Sequence, residues 1–206
     1  MTIEAGEIIV WMFVFLRTGA FMLGIPLFAG RMLPNKIKTA FGLILALIIN
    51  PLVPANLELA TTFGGVILLA MNEVCIGLLL AMTVRMIFFA VELAGHLISY
   101  EIGLMASSSV NPLLGTSDAT ITTLLYYFSL LVFFITGIHY DIIKAFVMSF
   151  EILPIGQFLI SKNPMEQFVQ EVCRVFVIGA LMAAPFIALN FLVNVSFAVL
   201  GKPVPK

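Results

Sequence analysis

Long apolar runs limit this chain more than anything else in it. Residues 8–30, 63–91, 121–138 and 175–200 carry very few charges, and each is close to or longer than the roughly 20 residues a helix needs to cross a bilayer's hydrocarbon core. In that core the backbone N–H and C=O groups find no water, so a spanning segment has to bond them internally, as a helix does. Of the 206 residues 62% are hydrophobic and only 10% are charged, against about 25% charged in ordinary soluble domains. The expected fold is all-α, an integral membrane or membrane-associated helical protein of about 5–6 kinked apolar helices.

The runs differ in quality. The only charge inside 8–30 is Arg17, and Pro26 is expected to kink its end because proline removes a helix hydrogen bond. Arg31, Lys36 and Lys38 follow it and favour the cytoplasmic side. Residues 40–53 form a short run closed by Pro51 and Pro54, which suits a half-buried or interfacial helix. The run 63–91 is interrupted only by Asn72, Glu73 and Arg85, and its length calls for tilt, a bend or partial emergence from the bilayer. Residues 121–138 read as the clearest span, closing at Gly137, His139 and Asp141. With Lys144, Glu151 and Pro154, residues 142–160 read as an amphipathic or broken helix. Asn163-Pro164 marks a helix start, and 175–200 is a second clean run, bent by Pro185 and holding Asn190 and Asn194 at i, i+4.

Charge counting along this order does not close. With Arg31 to Lys38 inside, six spans put both ends outside, yet the tail GKPVPK is positive and prefers the inside. Helices interrupted by prolines and charges are also what packing against protein rather than lipid produces. The first run follows Glu4 and Glu7 rather than a basic stretch, so it is expected to remain uncleaved. Cys75 and Cys173 lie in apolar segments and read as small apolar filler.

Residues 92–120 stand apart from the runs. Gly95, Ser99, Gly103 and Ser107 recur every fourth position, which lines small side chains along one helix face and lets another backbone approach. Glu92, His96 and Tyr100 form a polar line beside them at the same spacing. Beyond Ser107 the composition turns to Ser, Asn-Pro, Gly and Thr-Ser-Asp, that of an irregular loop. Met105 stands at the junction, a flexible side chain able to fill a changing gap.

Four charges inside apolar stretches, Arg17, Glu73, Arg85 and Glu92, are candidates for burial. Each costs roughly 2.5–3.5 kcal/mol near the bilayer centre unless it is partnered. They are read either as ion pairs between helices or as a relay. His96 and His139 have no partner at ligand spacing, so no metal site is expected. Ser107, Ser108 and Ser109 lack a G-x-S-x-G elbow, and no phosphate loop, H-E-x-x-H or C-x-x-C occurs. No catalytic residue and no cofactor is therefore expected. A net charge of −1 without a basic block points away from nucleic acid.

Five pieces in order carry a family resemblance. They are FLRTGAFMLGIPLFAGRMLPNKIKTAFGL at 15–43, NEVCIGLLLAMTVRMIFFAVELAGHLISYEIGLM at 72–105, Asn111-Pro112, GIHYDIIKAFVMSFEILPIG at 137–156 and AAPFIALNFLVNVSFAVLGKPVPK at 183–206. Through them the chain resembles the FliR family of flagellar export-gate proteins, whose relatives also serve in virulence type III secretion. The resemblance implies a non-enzymatic subunit of the bacterial inner membrane at the flagellar basal body. It would stand among FliP-like and FliQ-like subunits in helical hairpins, beside an FlhB-like export protein and membrane lipid, and pass unfolded exported proteins.

The same resemblance divides the chain into a FliP-like region, 1–160, and the start of a FliQ-like hairpin, 161–206, whose second arm is expected to be missing. It places a plug loop at 104–120, carried by Leu104, Met105, Ala106, Ser107, Ser108, Ser109, Val110, Asn111 and Pro112. Family members usually have an acidic residue where this chain has Asn111. Two other functions fit the composition: an ion-coupled secondary transporter built around Glu73, Arg85 and Glu92, and a membrane scaffold.

Overall fold

The computed structural model describes residues 5–25, 28, 34–54, 62–103, 120–157 and 164–201. Among them the secondary structure is helical: α1 (Ala5–Met22), α2 (Asn35–Ile49) with a 3₁₀ turn (Asn50–Leu52), α3 (Phe63–Glu101), α4 (Thr120–Ile135), α5 (Ile138–Ile152) and α6 (Pro164–Gly201). The all-α membrane fold expected from the apolar runs is the one observed. Among the described residues three stretches are long and apolar enough to cross a bilayer, Asn35–Leu52, Phe63–Glu101 and Val169–Gly201, and α4 with α5 makes a fourth if counted as one broken span.

Helix ends depart from the apolar runs in informative ways. The first run continues to Gly30, but α1 stops at Met22, where Leu23, Gly24 and Ile25 each donate three residues back and tighten the chain out of the helix. Pro26, expected to supply the kink, lies outside the described residues. Conversely, α3 and α6 run far past the apolar stretches, with 39 and 38 residues. At 1.5 Å per residue they are about 59 and about 57 Å long, nearly twice the roughly 30 Å hydrocarbon core. Pro164 opens α6, as its Asn-Pro signal implies, and Pro185 falls inside the continuous helix.

The run 121–138, read as the clearest span, is a 16-residue helix and falls short of a crossing alone. Gly137 ends it in the left-handed region (φ 76°), where a Cβ is disfavoured, and α5 begins at once. His139 and Asp141 thus sit in the first turn of α5 rather than in a connection. His139 packs there among Phe133, Phe134 and Tyr140, with its ring centroid 4.0 Å from that of Tyr140.

The helices form two compact units, residues 1–85 with 133–163 and residues 86–132 with 164–206. The core of the first comprises Phe13, Val14 and Phe21 of α1, Ala46 and Ile49 of α2, Leu69 and Val84 of α3, and Phe146 and Phe150 of α5, with Ile155 beyond it. Phe21 and Phe146 stack there at 4.3 Å. The core of the second is smaller, with Ala94, Ile98 and Ala183 buried and Leu97, Ile121, Leu125 and Ile187 packed against them.

Candidate functional site

In the first unit the polar residues converge on Arg17. Its side chain and that of Glu73 are both fully buried, and Nε donates to Glu73 Oε2 at 2.5 Å. Nη1 donates to the carbonyl of Ser149 at 3.2 Å and Nη2 to that of Leu153 at 3.0 Å. Those carbonyls belong to the end of α5, where a partial negative charge accumulates, and that of Ser149 also accepts the Leu153 N–H at 3.0 Å. A guanidinium, with five donors in a planar fork, is suited to serve a carboxylate and two carbonyls at once. Phe150 completes the surroundings, its ring centroid 4.2 Å from the guanidinium carbon, close enough for a cation–π contact. Beside Glu73, the Asn72 amide donates to the Gln157 carbonyl at 2.8 Å, so adjacent residues of α3 hold both the end of α5 and the chain beyond it.

Small residues let the backbones come this close. A Cβ on Gly77 would lie 2.5 Å from the Arg17 carbonyl oxygen and 2.8 Å from Ala20 Cβ. One on Gly24 would overlap Ala81. The matched pairs Arg17–Glu73, Ala20–Gly77 and Gly24–Ala81 ascend together, so α1 and this part of α3 run parallel. Gly77 and Ala81 went unremarked in the sequence, although they follow Glu73 at the same fourfold spacing that singled out Gly95 and Ser99.

The second unit repeats the scheme with different chemistry. A Cβ on Gly95 would meet Thr122 Cα at 2.7 Å, and one on Gly179 would meet Leu93 Cδ2 at 2.9 Å and the Ala90 carbonyl oxygen at 3.0 Å. Ser99 is buried and returns its hydroxyl proton to the Gly95 carbonyl at 2.8 Å, which leaves its face of the helix apolar. Gly103, expected on the packing face, instead ends the helix: its φ of 78° is left-handed and its N–H closes on the Tyr100 carbonyl.

The four candidate charges separate. Arg17 and Glu73 pair, Glu92 is half-buried, and Arg85, expected to be buried, is exposed on this chain. Arg85 lies twelve positions after Glu73, which at 3.6 residues per turn is about 120° round the helix and off the face that meets α1. His96 and Tyr100 are exposed. No group of metal-ligating side chains forms among the described residues. The candidate plug residues Leu104, Met105, Ala106, Ser107, Ser108, Ser109, Val110, Asn111 and Pro112 lie outside the described residues; the structure describes the helices that lead to and from them.

What these contacts hold together is an all-α membrane protein, two of whose helices are longer than a bilayer is thick, with close approaches at small residues and a buried ion pair. The chain belongs to the bacterial export proteins, family 1, which it matches over residues 8–206. It is 29% identical over 202 residues to the flagellar biosynthetic protein FliR of Caulobacter vibrioides, covering 98% of this chain and 80% of that one. It is 27% identical to the protein of the same name from Bacillus subtilis, covering 95% and 76%, and 26% identical to that from Escherichia coli, covering 93% and 73%.

Proposed function

We propose that the chain is a helical subunit of the protein-export gate of the bacterial flagellum, a part of the conduit for unfolded flagellar proteins and without enzymatic activity. The observation that carries this is the family match over residues 8–206, with relatives each named flagellar biosynthetic protein FliR. Two helices nearly twice as long as the hydrocarbon core is thick support it, because such helices have to tilt strongly or continue out of the core into an assembly. The subunit belongs in the bacterial inner membrane at the flagellar basal body. Its partners are FliP-like and FliQ-like subunits and an FlhB-like export protein.

In this reading residues 1–160 are the FliP-like part and 161–206 begin the FliQ-like hairpin. Residues 104–112 form the plug that seals the conduit against ions, and the small face of Gly95 and Ser99 seats the helix before it. Deleting residues 107–111 and measuring ion conductance of the purified gate in planar bilayers tests the plug. A leak is the expected result, and an unchanged conductance removes the assignment. Co-purification of the chain with its FliP-like and FliQ-like neighbours, with subunits counted by native mass spectrometry, tests membership. A chain that transports a small solute alone would favour a transporter instead.

A further inference from the structure

At the far end of α3, the Asn190 amide of α6 donates to the Glu101 carbonyl oxygen at 2.8 Å and to its carboxylate Oε2 at 3.2 Å. Glu101 is the last residue of α3, so its carbonyl is one of those left without a helix partner. Asn190 continues a stripe on α6, Gly179, Ala183 and Ile187, at helical spacing. That stripe meets Ala90 and Leu93, then Ala94 and Ile98, then Glu101. The order ascends on both helices, so they run parallel, and the polar contact falls where α3 ends. In an apolar helix a side-chain amide without a partner is costly, and here both of its acceptors sit on one residue.

We propose that Asn190 is a positioning residue of the conduit, fixing the last turn of α3 against α6 and with it the point at which the chain leaves α3. This rests on the gate reading above. The contact is suited to release and re-formation: one amide serves two acceptors, the site is half-buried, and Gly103 directly beyond it supplies the left-handed turn. Asn194, one turn further along α6, is exposed on this chain and serves as the control.

The test compares Asn190→Leu, Asn194→Leu and the 107–111 deletion in the assembled gate, as conductance per complex in planar bilayers. Asn190→Leu removes both bonds and is expected to raise closed-state conductance by about tenfold or more, tenfold being the least that loss of one hydrogen bond to a charged acceptor represents, while Asn194→Leu leaves it unchanged. A leak from the deletion but none from Asn190→Leu overturns the positioning role and spares the plug. No leak from either removes both. Where Asn190→Leu fails to assemble, Asn190→Asp with and without Glu101→Gln decides. The single change sets two carboxylates against each other and is expected to leak, and the pair restores a donor opposite an acceptor between the side chains, though not to the Glu101 backbone carbonyl, so it is expected to recover part of the seal. Equal conductance with and without Glu101→Gln overturns the proposal.

Discussion

α3 is joined to a parallel partner twice, to α1 in one unit and to α6 in the other, and the two joints share a plan. In each, small residues bring backbones together and one polar side chain takes up the carbonyls of a helix end. They differ in chemistry. Arg17 is a buried charge with a carboxylate, two carbonyls and an aromatic ring around it. Asn190 is neutral, half-buried and bound to a single residue. A buried ion pair is costly to separate, because either charge left alone keeps its full desolvation penalty. A neutral amide separates at the cost of about one hydrogen bond. The first joint is therefore suited to permanence and the second to movement.

The largest expected effect follows from that asymmetry. Arg17→Met leaves the Glu73 carboxylate buried without its cation and removes a donor from the Leu153 carbonyl and from that of Ser149, which keeps the Leu153 N–H. It is expected to lower stability by about 3–5 kcal/mol, read as thermal unfolding of the chain in detergent and as yield of assembled gate. Arg17→Met with Glu73→Met removes both charges and is expected to recover much of that loss. Equal damage from the single and double variants would show that the pair is not what holds the joint.

Next come the close approaches. Gly77→Ala places a methyl 2.5 Å from the Arg17 carbonyl, and Gly95→Ala places one 2.7 Å from Thr122 Cα, so each forces helices apart. Overpacking of this kind costs about 1–3 kcal/mol. Because the nearest atom to Gly95 is backbone, adding Thr122→Ala is not expected to rescue it. A full rescue would mean that the Thr122 side chain, and not the spacing of the backbones, sets the approach of α3 to α4.

How much of this could be read beforehand depended on the kind of signal. Hydropathy found the apolar helices but misjudged their ends. Leu23 and Ile25 are as apolar as the helix before them, so hydropathy alone does not stop α1 at Met22; Gly24 and Pro26 are the stop signals there. Glu171 and Arg174 stand before the apolar run 175–200 yet are good helix formers, and α6 passes straight through them. Spacing brought Gly95 and Ser99 to notice, and both lie buried; it carried one turn too far at Gly103, where left-handed geometry ends the helix. Arg17 and Glu73 stood out as charges, but their pairing spans 56 positions, and two further partners of Arg17 are backbone carbonyls with no residue signature. Asn190 is visible as a polar residue in an apolar helix, while nothing in the sequence marks Glu101, 89 positions away, as its partner.

The smallest expected effect separates charge from burial. Arg174 donates to Glu171 at 3.2 Å with the side chains 69% and 55% exposed, and Lys144 stands 4.0 Å from Asp141 with 75% and 78% exposed. Each is an i, i+3 pair in high dielectric, worth about 0–1 kcal/mol. Arg174→Ala and Lys144→Ala are therefore expected to leave the unfolding temperature of the isolated chain within error of the parent, whereas Arg17→Met does not. Repeating both in the assembled gate sharpens the contrast. A pair that stays exposed there stays silent, but one covered by a neighbouring subunit loses its solvent and begins to behave like Arg17 and Glu73. A loss that appears only on assembly would therefore show that the mutated face, on α5 or at the start of α6, is buried against a partner.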